Sequence, residues 1–159
     1  MIAVNPVGVI TGFGFAPAST QDQPLAEPFF ALRRQPHPQL PSVGSPARGP
    51  DGVDKGFEGQ ANQARWWQAY GAQVICPPKR NSRTSWPKAL RRWLAGLRQV
   101  GATVYDKLFH TLRLDRERPH DLSGFWTRLA AKIALHNFCM WLNEHLGRPR
   151  LALADLVDW

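Results

Sequence analysis

Residues 52–76 read GVDKGFEGQANQARWWQAYGAQVIC and contain the clearest indication of fold class in the chain. A very short strand ends at Asp54, residues 58–70 have the pattern of a helix, and Gly71 stands where a helix C-terminus favours glycine. Residues 72–76 form a second short apolar segment, which two prolines close. Strand, helix and strand in this order predict a parallel unit, so we expect a mixed α/β fold with short central strands.

Upstream of this unit the pattern indicates a strand pair, a helix and then a loop. Residues 6–15 place β-branched and aromatic side chains at period two, and residues 2–4 supply a partner strand, which predicts an N-terminal β-hairpin. A short helix fits residues 25–34. Residues 35–50 contain five prolines and two glycines, which is typical of a long Pro-rich loop.

Two long C-terminal helices are predicted downstream. The first starts at Pro87 and its apolar periodicity continues to residue 112, with Gly101 as a candidate break. The second occupies residues 122–146, and a glycine ends it. We expect the tail, residues 147–159, to pack back onto the body of the domain.

The tryptophans divide into core and surface candidates. Trp66 and Trp67 are adjacent, so one of them is expected to be exposed. Trp86 follows a basic loop and is the best candidate for stacking on a nucleic-acid base. Three others fall on apolar helix faces and are expected in the core: Trp93, Trp126 and Trp141.

Charge is distributed unevenly along the chain. Lys and Arg number 20 against 12 Asp and Glu, a formal net charge of +8. Residues 79–118 hold eleven basic residues and three acids, so this stretch accounts for a net charge of +8 by itself. A localised basic field favours a polyanion as partner, most often nucleic acid. A solvated basic helix face is the alternative.

Several classes of protein are disfavoured by composition. No run of about 18 apolar residues suggests a membrane helix, and the first residues lack the pattern of a secretion signal. The two cysteines, Cys76 and Cys139, are too few for a disulfide framework or a four-thiolate zinc site, which favours a reducing, cytoplasmic setting. His136 and Cys139 lie three residues apart, but no second pair of ligands exists, so His136 is expected to be a core histidine.

One ordered set of motifs resembles a known family. Val53-Asp54-Lys55-Gly56-Phe57 resembles the (A/V)-D-K-G-(F/Y) signature of insertion-sequence transposases of the DDE class, which carry out DNA transposition. The resemblance extends over essentially the whole chain, through GVITGF at 8–13, VICPPKRN at 74–81, RQVGATVY at 98–105 and RLAAK at 128–132. It implies one partial domain over residues 1–159, an incomplete ribonuclease H-like fold that lacks its first strand.

The resemblance also implies a catalytic chemistry that this chain carries only in part. In the family, Asp, Asp and Glu hold two divalent metals, normally Mg²⁺, for in-line attack on a phosphodiester. The second acid corresponds to Asp54, whose other interpretation is a turn residue that caps the following helix. The third acid belongs four residues after Arg98, where Ala102 stands. The first acid belongs upstream of the hairpin, so we expect the chain to be catalytically inactive.

The family likeness gives the basic residues a role as phosphate contacts on double-stranded DNA. The alternative is a non-enzymatic DNA-binding or interaction remnant that modulates a full-length transposase, and a decayed fragment without function is a third hypothesis. A homodimer or a full-length transposase is a further expected partner, whereas a membrane or a small-molecule substrate is not expected. When bound to DNA, the chain would be nucleoid-associated. The predicted contacts are Lys79, Arg80 and Arg83 in the loop, and Lys88, Arg91, Arg92 and Arg98 in the helix.

Overall fold

The computed structural model describes residues 1–17, 19–34, 49–78 and 85–157. The chain divides into two compact units: the first comprises Met1 and Phe13–Arg98, and the second comprises Ile2–Gly12 and Gln99–Trp159. Helices predominate in both, beside short strands. The mixed α and β character predicted from the sequence is confirmed at this coarse level. The predicted Pro-rich loop, residues 35–50, falls almost wholly outside the described residues.

Four helices and four strands form the framework of the described residues. The helices are α1 (Asp22–Arg34), α2 (Gln60–Tyr70), α3 (Lys88–Asp106) and α4 (Leu122–His145). The strands are β1 (Ile2–Val4), β2 (Ile10–Phe13), β3 (Asp51–Gly52) and β4 (Val74–Ile75), in two separate two-stranded sheets, β1–β2 and β3–β4. A π-helical segment, Lys107–Thr111, follows α3 directly, and short 3₁₀ helices occupy Lys55–Phe57, Leu114–Arg116 and Leu153–Asp155.

The first unit contains the strand–helix–strand arrangement predicted from residues 52–76. Strands β3 and β4 pair in parallel, with Asp51 opposite Val74 and Gly52 opposite Ile75. Between them, α2 ends at Gly71, whose φ of 60° lies in the left-handed region. The N–H of Gly71 donates to the carbonyl of Trp67 at 2.9 Å, a helix C-terminus of the predicted kind.

Trp66 forms the centre of the apolar core of the first unit. Its side chain is completely buried, and its ring centroid lies 5.5 Å from that of Phe30 and 6.2 Å from that of Phe57. Ala26 and Ala72 complete the buried cluster. The neighbouring Trp67 is 60% exposed, so the prediction that one of the two adjacent tryptophans faces solvent is confirmed.

The second unit joins the N-terminal hairpin to α4. Strands β1 and β2 pair with each other, and the N–H of Asn5 donates to the carbonyl of Val9 at 2.9 Å, which confirms the predicted strand pair. The side-chain oxygen of Asn5 accepts from the backbone N–H groups of Val7 and Val9, at 3.1 and 2.9 Å, and so closes the turn. Such side-chain acceptors satisfy turn amides that no strand reaches.

Two polar residues of α4 hold the hairpin. The amide of Asn137 both donates to the carbonyl of Ile10 and accepts from its N–H, each at 2.9 Å. The adjacent His136 is completely buried, and its Nε2 lies 3.1 Å from the carbonyl oxygen of Gly8. The expectation that His136 is a core histidine is confirmed, because it is buried, and Cys139 is buried as well.

The expectation that three tryptophans lie in the core is wrong. Trp93, Trp126 and Trp141 are 47%, 44% and 52% exposed. In α4, both sides of the helix carry apolar residues, so the periodicity alone did not identify the buried side. The buried side includes Leu129 and Ile133.

The two long helices start within one residue of their predicted starts, but α3 lacks the candidate break. α3 continues through Gly101 without a break, and the π-helical segment then carries the chain to the buried Leu112. After α4, the side-chain amide of Asn143 donates to the carbonyls of Arg150 and Ala152, at 3.2 and 3.1 Å. The tail is thereby folded back so that Leu153 is completely buried.

Among the helices of the described residues, none combines the length and the apolar composition that crossing a bilayer requires.

Candidate nucleic-acid interface

Asp54 acts as a helix cap in the first unit. Strand β3 ends two residues before it, and its side-chain oxygen accepts from the backbone N–H of Lys55 at 2.7 Å. It thus begins the 3₁₀ helix Lys55–Phe57, whereas α2 is preceded by Gly59. The capping interpretation of Asp54 therefore holds, but for this short helix and not for α2. The strand predicted to end at Asp54 ends at Gly52.

The carboxylate of Asp54 also forms an ion pair with Arg98 of α3. The two side chains approach to 3.3 Å, and about half of each remains exposed. An exposed pair of this kind contributes little to stability. The pair changes the local charge instead. The positive charge of Arg98 neutralises the Asp54 carboxylate, the single acid in this unit to which the DDE resemblance assigns metal binding.

The position of the family glutamate holds a methyl group. Ala102 lies one helical turn beyond Arg98 on α3 and is exposed. Asp106, one turn further, is exposed and lies 3.9 Å from His110. Across the described ranges, no three His, Cys, Asp or Glu side chains converge to hold a metal ion. The donor groups present do not fit a two-metal site of the kind implied for Mg²⁺, and we derive no metal-dependent step.

The beginning of α3 forms a basic face. Lys88, Arg91 and Arg92 are exposed, whereas Leu94, three residues after Arg91, is 2% exposed. Leu94 packs so closely on β3 that a Cβ on Gly52 would lie 3.0 Å from its Cδ1 atom. This packing fixes the rotation of α3, in which the three cations are exposed.

The sequence on either side of this basic face contains no acidic residue over a long stretch. No Asp or Glu occurs between Glu58 and Asp106. The net charge of each segment does not reveal this gap. The number of residues between successive acids does reveal it. The gap contains eight basic residues: Arg65, Lys79, Arg80, Arg83, Lys88, Arg91, Arg92 and Arg98.

The position of the basic face on its helix is electrostatically unfavourable. The N-terminus of a helix carries a partial positive charge, so cations there are repelled and anions are attracted. The first turn of α3 contains no acid, and Lys88 begins the helix. Three cations at this end cost stability in the free protein. An anion such as a phosphate would offset that cost through the same cations and the free backbone N–H groups.

Part of the predicted interface cannot be placed. Lys79, Arg80 and Arg83 lie outside the described residues. Trp86, the stacking candidate, is half-buried just before α3. The structure therefore places four of the seven predicted DNA contacts, all on α3, and one of them is the residue paired with Asp54.

A second charged cluster lies in the second unit. Glu117 pairs with Arg128 at 2.7 Å and with Lys132 at 3.0 Å. The hydrogen bond from Arg128, and next that from Lys132, lower the pKa of the Glu117 carboxyl. Lys132 also donates to the carbonyl of Leu112 at the end of the π-helical segment. This cluster joins the loop to α4 through Glu117 and the carbonyl of Leu112, so it serves the fold, and it keeps one positive charge more than negative.

Comparison with known proteins does not add to this geometry. No family model, no curated protein and no solved structure matches the chain.

Proposed function

We propose that this chain is a DNA-binding protein of the DDE-transposase type, with an incomplete ribonuclease H-like fold, that does not cleave DNA by itself. The observation that carries the proposal is the basic face of α3. Lys88, Arg91 and Arg92 are exposed at a helix N-terminus, within a stretch that lacks acids. Contacts of such residues with phosphates give affinity and position without reading the base sequence.

The spacing along the helix suits a polyanion better than a single small anion. Arg91 and Arg98 are seven residues apart, two turns on one side of α3, which corresponds to about 10 Å along the axis. Ala95, between them, is small and exposed, so a strand of the duplex can approach the helix closely. Arg98 can exchange its pairing with Asp54 for a phosphate, since both partners are half-exposed.

The proposed lack of cleavage rests on the donor atoms at two positions. Ala102 provides no oxygen, and the carboxylate of Asp54 is engaged by Arg98 and by the N–H of Lys55. We expect no nicking of supercoiled plasmid with Mg²⁺ or Mn²⁺. Metal-dependent nicking by the pure protein that disappears in Asp54→Ala would overturn this part of the proposal.

The test of DNA binding is a salt series with a fluorescent duplex. Each lost phosphate contact lowers the slope of log K against log salt by about 0.9. The double variant Arg91→Ala/Arg92→Ala should therefore bind more weakly and with a slope smaller by about 1.8. The matched control is Arg148→Ala/Arg150→Ala, which removes two arginines paired with Asp155 and Glu144 in the second unit.

The control should keep the slope of the unchanged protein. If the unchanged protein does not bind duplex, or if both double variants lose affinity and slope equally, the assignment to α3 fails. The second result would indicate that net charge alone drives binding.

A further inference from the structure

The solvent side of α4 carries an apolar stripe with the spacing of a coiled-coil seam. Ala131, Ala134, Phe138, Trp141 and His145 recur at intervals of three and four residues, and all five are exposed. This is the a/d periodicity by which helices pair. The opposite side of the same helix supplies the buried core residues. The exposed stripe is therefore not part of that core.

The two ends of this stripe have opposite shapes. At its C-terminal end the rings stack in sequence: Phe138 and Trp141 have centroids 5.7 Å apart, and Trp141 and His145 have centroids 4.2 Å apart. They form a ridge that is ordered before any partner arrives. The N-terminal end carries only the methyl groups of Ala131 and Ala134.

A shallow cavity lies beside the alanine end of the stripe. It has a volume of about 200 Å³, and its lining includes Ala131 and Leu135 together with the side chains of Glu117, Arg128 and Lys132. Two of these are cations, which the single carboxylate of Glu117 balances only in part, and cations are attracted to the electron-rich face of an indole ring. The helix therefore presents an aromatic ridge at one end, and at the other a recess whose charge complements that ridge.

We propose that the occupant of the α4 stripe is the same stripe of a second copy of this chain, in antiparallel orientation. A two-fold axis at the level of residue 136 brings Trp141 opposite Ala131 and Phe138 opposite Ala134, in both directions at once. Each ring then meets an alanine, and Trp141 reaches the cavity of the other copy. A parallel pair would instead oppose ring to ring and leave methyl groups facing each other across a gap. The proposal does not depend on DNA binding.

The exposed area indicates a weak, reversible dimer. Aromatic side chains carry about 150–250 Å² each, so the half-exposed rings of Phe138 and Trp141 present about 200 Å² per copy. With the alanines and Leu135, the stripe offers about 300 Å², below the roughly 800 Å² per partner of a standard stable interface. Association should therefore depend steeply on protein concentration.

The test is sedimentation equilibrium over about a hundredfold range of protein concentration, because mass action shifts a weak dimer within such a range. The unchanged protein should move from monomer towards dimer. Trp141→Ala should remain monomeric, and Ala131→Trp should too, since its new ring meets Trp141 of the second copy. The matched control is Trp67→Ala, which removes an equally exposed indole from the first unit and should dimerise normally.

The decisive variant combines both changes. In Ala131→Trp/Trp141→Ala the ring and the methyl group exchange places, so an antiparallel pair regains its complementarity and dimerisation should return. All substituted positions are exposed, and circular dichroism with a thermal melt verifies that each variant is folded.

Three results would overturn the proposal. A chain that is monomeric at every concentration would leave the stripe to a helix of another protein. Dimerisation that Trp141→Ala does not weaken would place the interface elsewhere. A double variant as monomeric as the single ones would refute the antiparallel register.

Discussion

The two long helices, α3 and α4, solve the same packing problem in different ways. α3 has one apolar side, on which Leu94 and Val104 are buried, and a polar side that carries the cations. α4 is apolar on both sides, and its buried side is distinguished by polar residues, His136 and Asn143. The side of a helix that faces the core can thus be set by an apolar stripe alone. In a helix that is apolar on both sides, a few buried hydrogen-bonding groups set it instead.

The largest effect should come from the apolar contact that orients α3. Leu94→Ala removes a side chain that is almost fully buried against β3, and should cost about 2–5 kcal/mol of unfolding free energy. Leu90→Ala, at a position 36% exposed on the same helix, is the control and should cost clearly less. Urea denaturation of both variants measures the difference. Equal losses would mean that the buried contact of Leu94 with β3 stabilises α3 no more than the partly exposed Leu90 does.

In α4, replacing one polar residue by alanine should lower the free energy of unfolding almost as much as truncating a core side chain. Asn137→Ala leaves both the N–H and the carbonyl of Ile10 without their partner, which should cost about 1–3 kcal/mol. Phe138→Ala, next to it on the exposed side, should change stability by under about 0.5 kcal/mol at protein concentrations where the chain is monomeric. Denaturation midpoints at low concentration test the contrast. A larger loss in Phe138→Ala would reverse our assignment of the two sides.

A smaller effect, confined to acid conditions, should come from His136. Burial lowers the pKa of His136 below its ordinary value of 6.5, an effect that the hydrogen bond with Gly8 only partly offsets. The unfolded chain then binds a proton that the folded chain does not, so stability is complete above about pH 7 and falls as the pH drops through 6.5.

The pH dependence is measured by urea unfolding between about pH 7.5 and 5.5, where carboxylates such as Glu117 stay ionised. The slope of stability against pH should be reduced in His136→Gln, even though that variant is less stable at every pH. His145→Gln, at an exposed position, should keep the slope of the unchanged protein. An unchanged slope in His136→Gln would show that another group is responsible.

The smallest effect should come from the ion pair between α3 and Asp54. Arg98→Ala should change stability by about 0–1 kcal/mol, because both partners are half-exposed. Lys88→Ala, at the N-terminus of the same helix, should be neutral or slightly stabilising, because it relieves repulsion with the helix dipole. Thermal melts of the two variants give the comparison. A loss of several kcal/mol in Arg98→Ala would mean that the pair organises the first unit.

What the sequence could predict follows from the same contrast between the helices. The strand–helix–strand unit was predictable because Gly71 and the prolines after β4 mark its ends locally. The starts of both long helices and the end of α4 followed from the sequence pattern to within one residue, whereas the end of α3 at Asp106 did not. The exposure of Trp93, Trp126 and Trp141 did not, because it depends on partners distant in the sequence, such as Ile10 for Asn137.

The candidate interface was predictable in part for a related reason. Charge is read directly from the residues, so the basic positions on α3 were identified, and the capping role of Asp54 was one of two interpretations offered. The ion pair with Arg98 joins residues 44 positions apart. No local pattern announces such a pair.

The hydrogen bonds from Asn137 to Ile10 also bear on how the chain folds as it is synthesised. Their partners are 127 residues apart, and those of His136 and Gly8 are 128 apart. Synthesis proceeds at about 5–20 residues per second, so α4 is made on the order of ten seconds after the hairpin. Its strands are made before α4, but these hydrogen bonds form only once α4 is present. During that interval the hairpin is held only by the side chain of Asn5 and a few backbone hydrogen bonds, so it gains most of its stability late, when α4 packs on it.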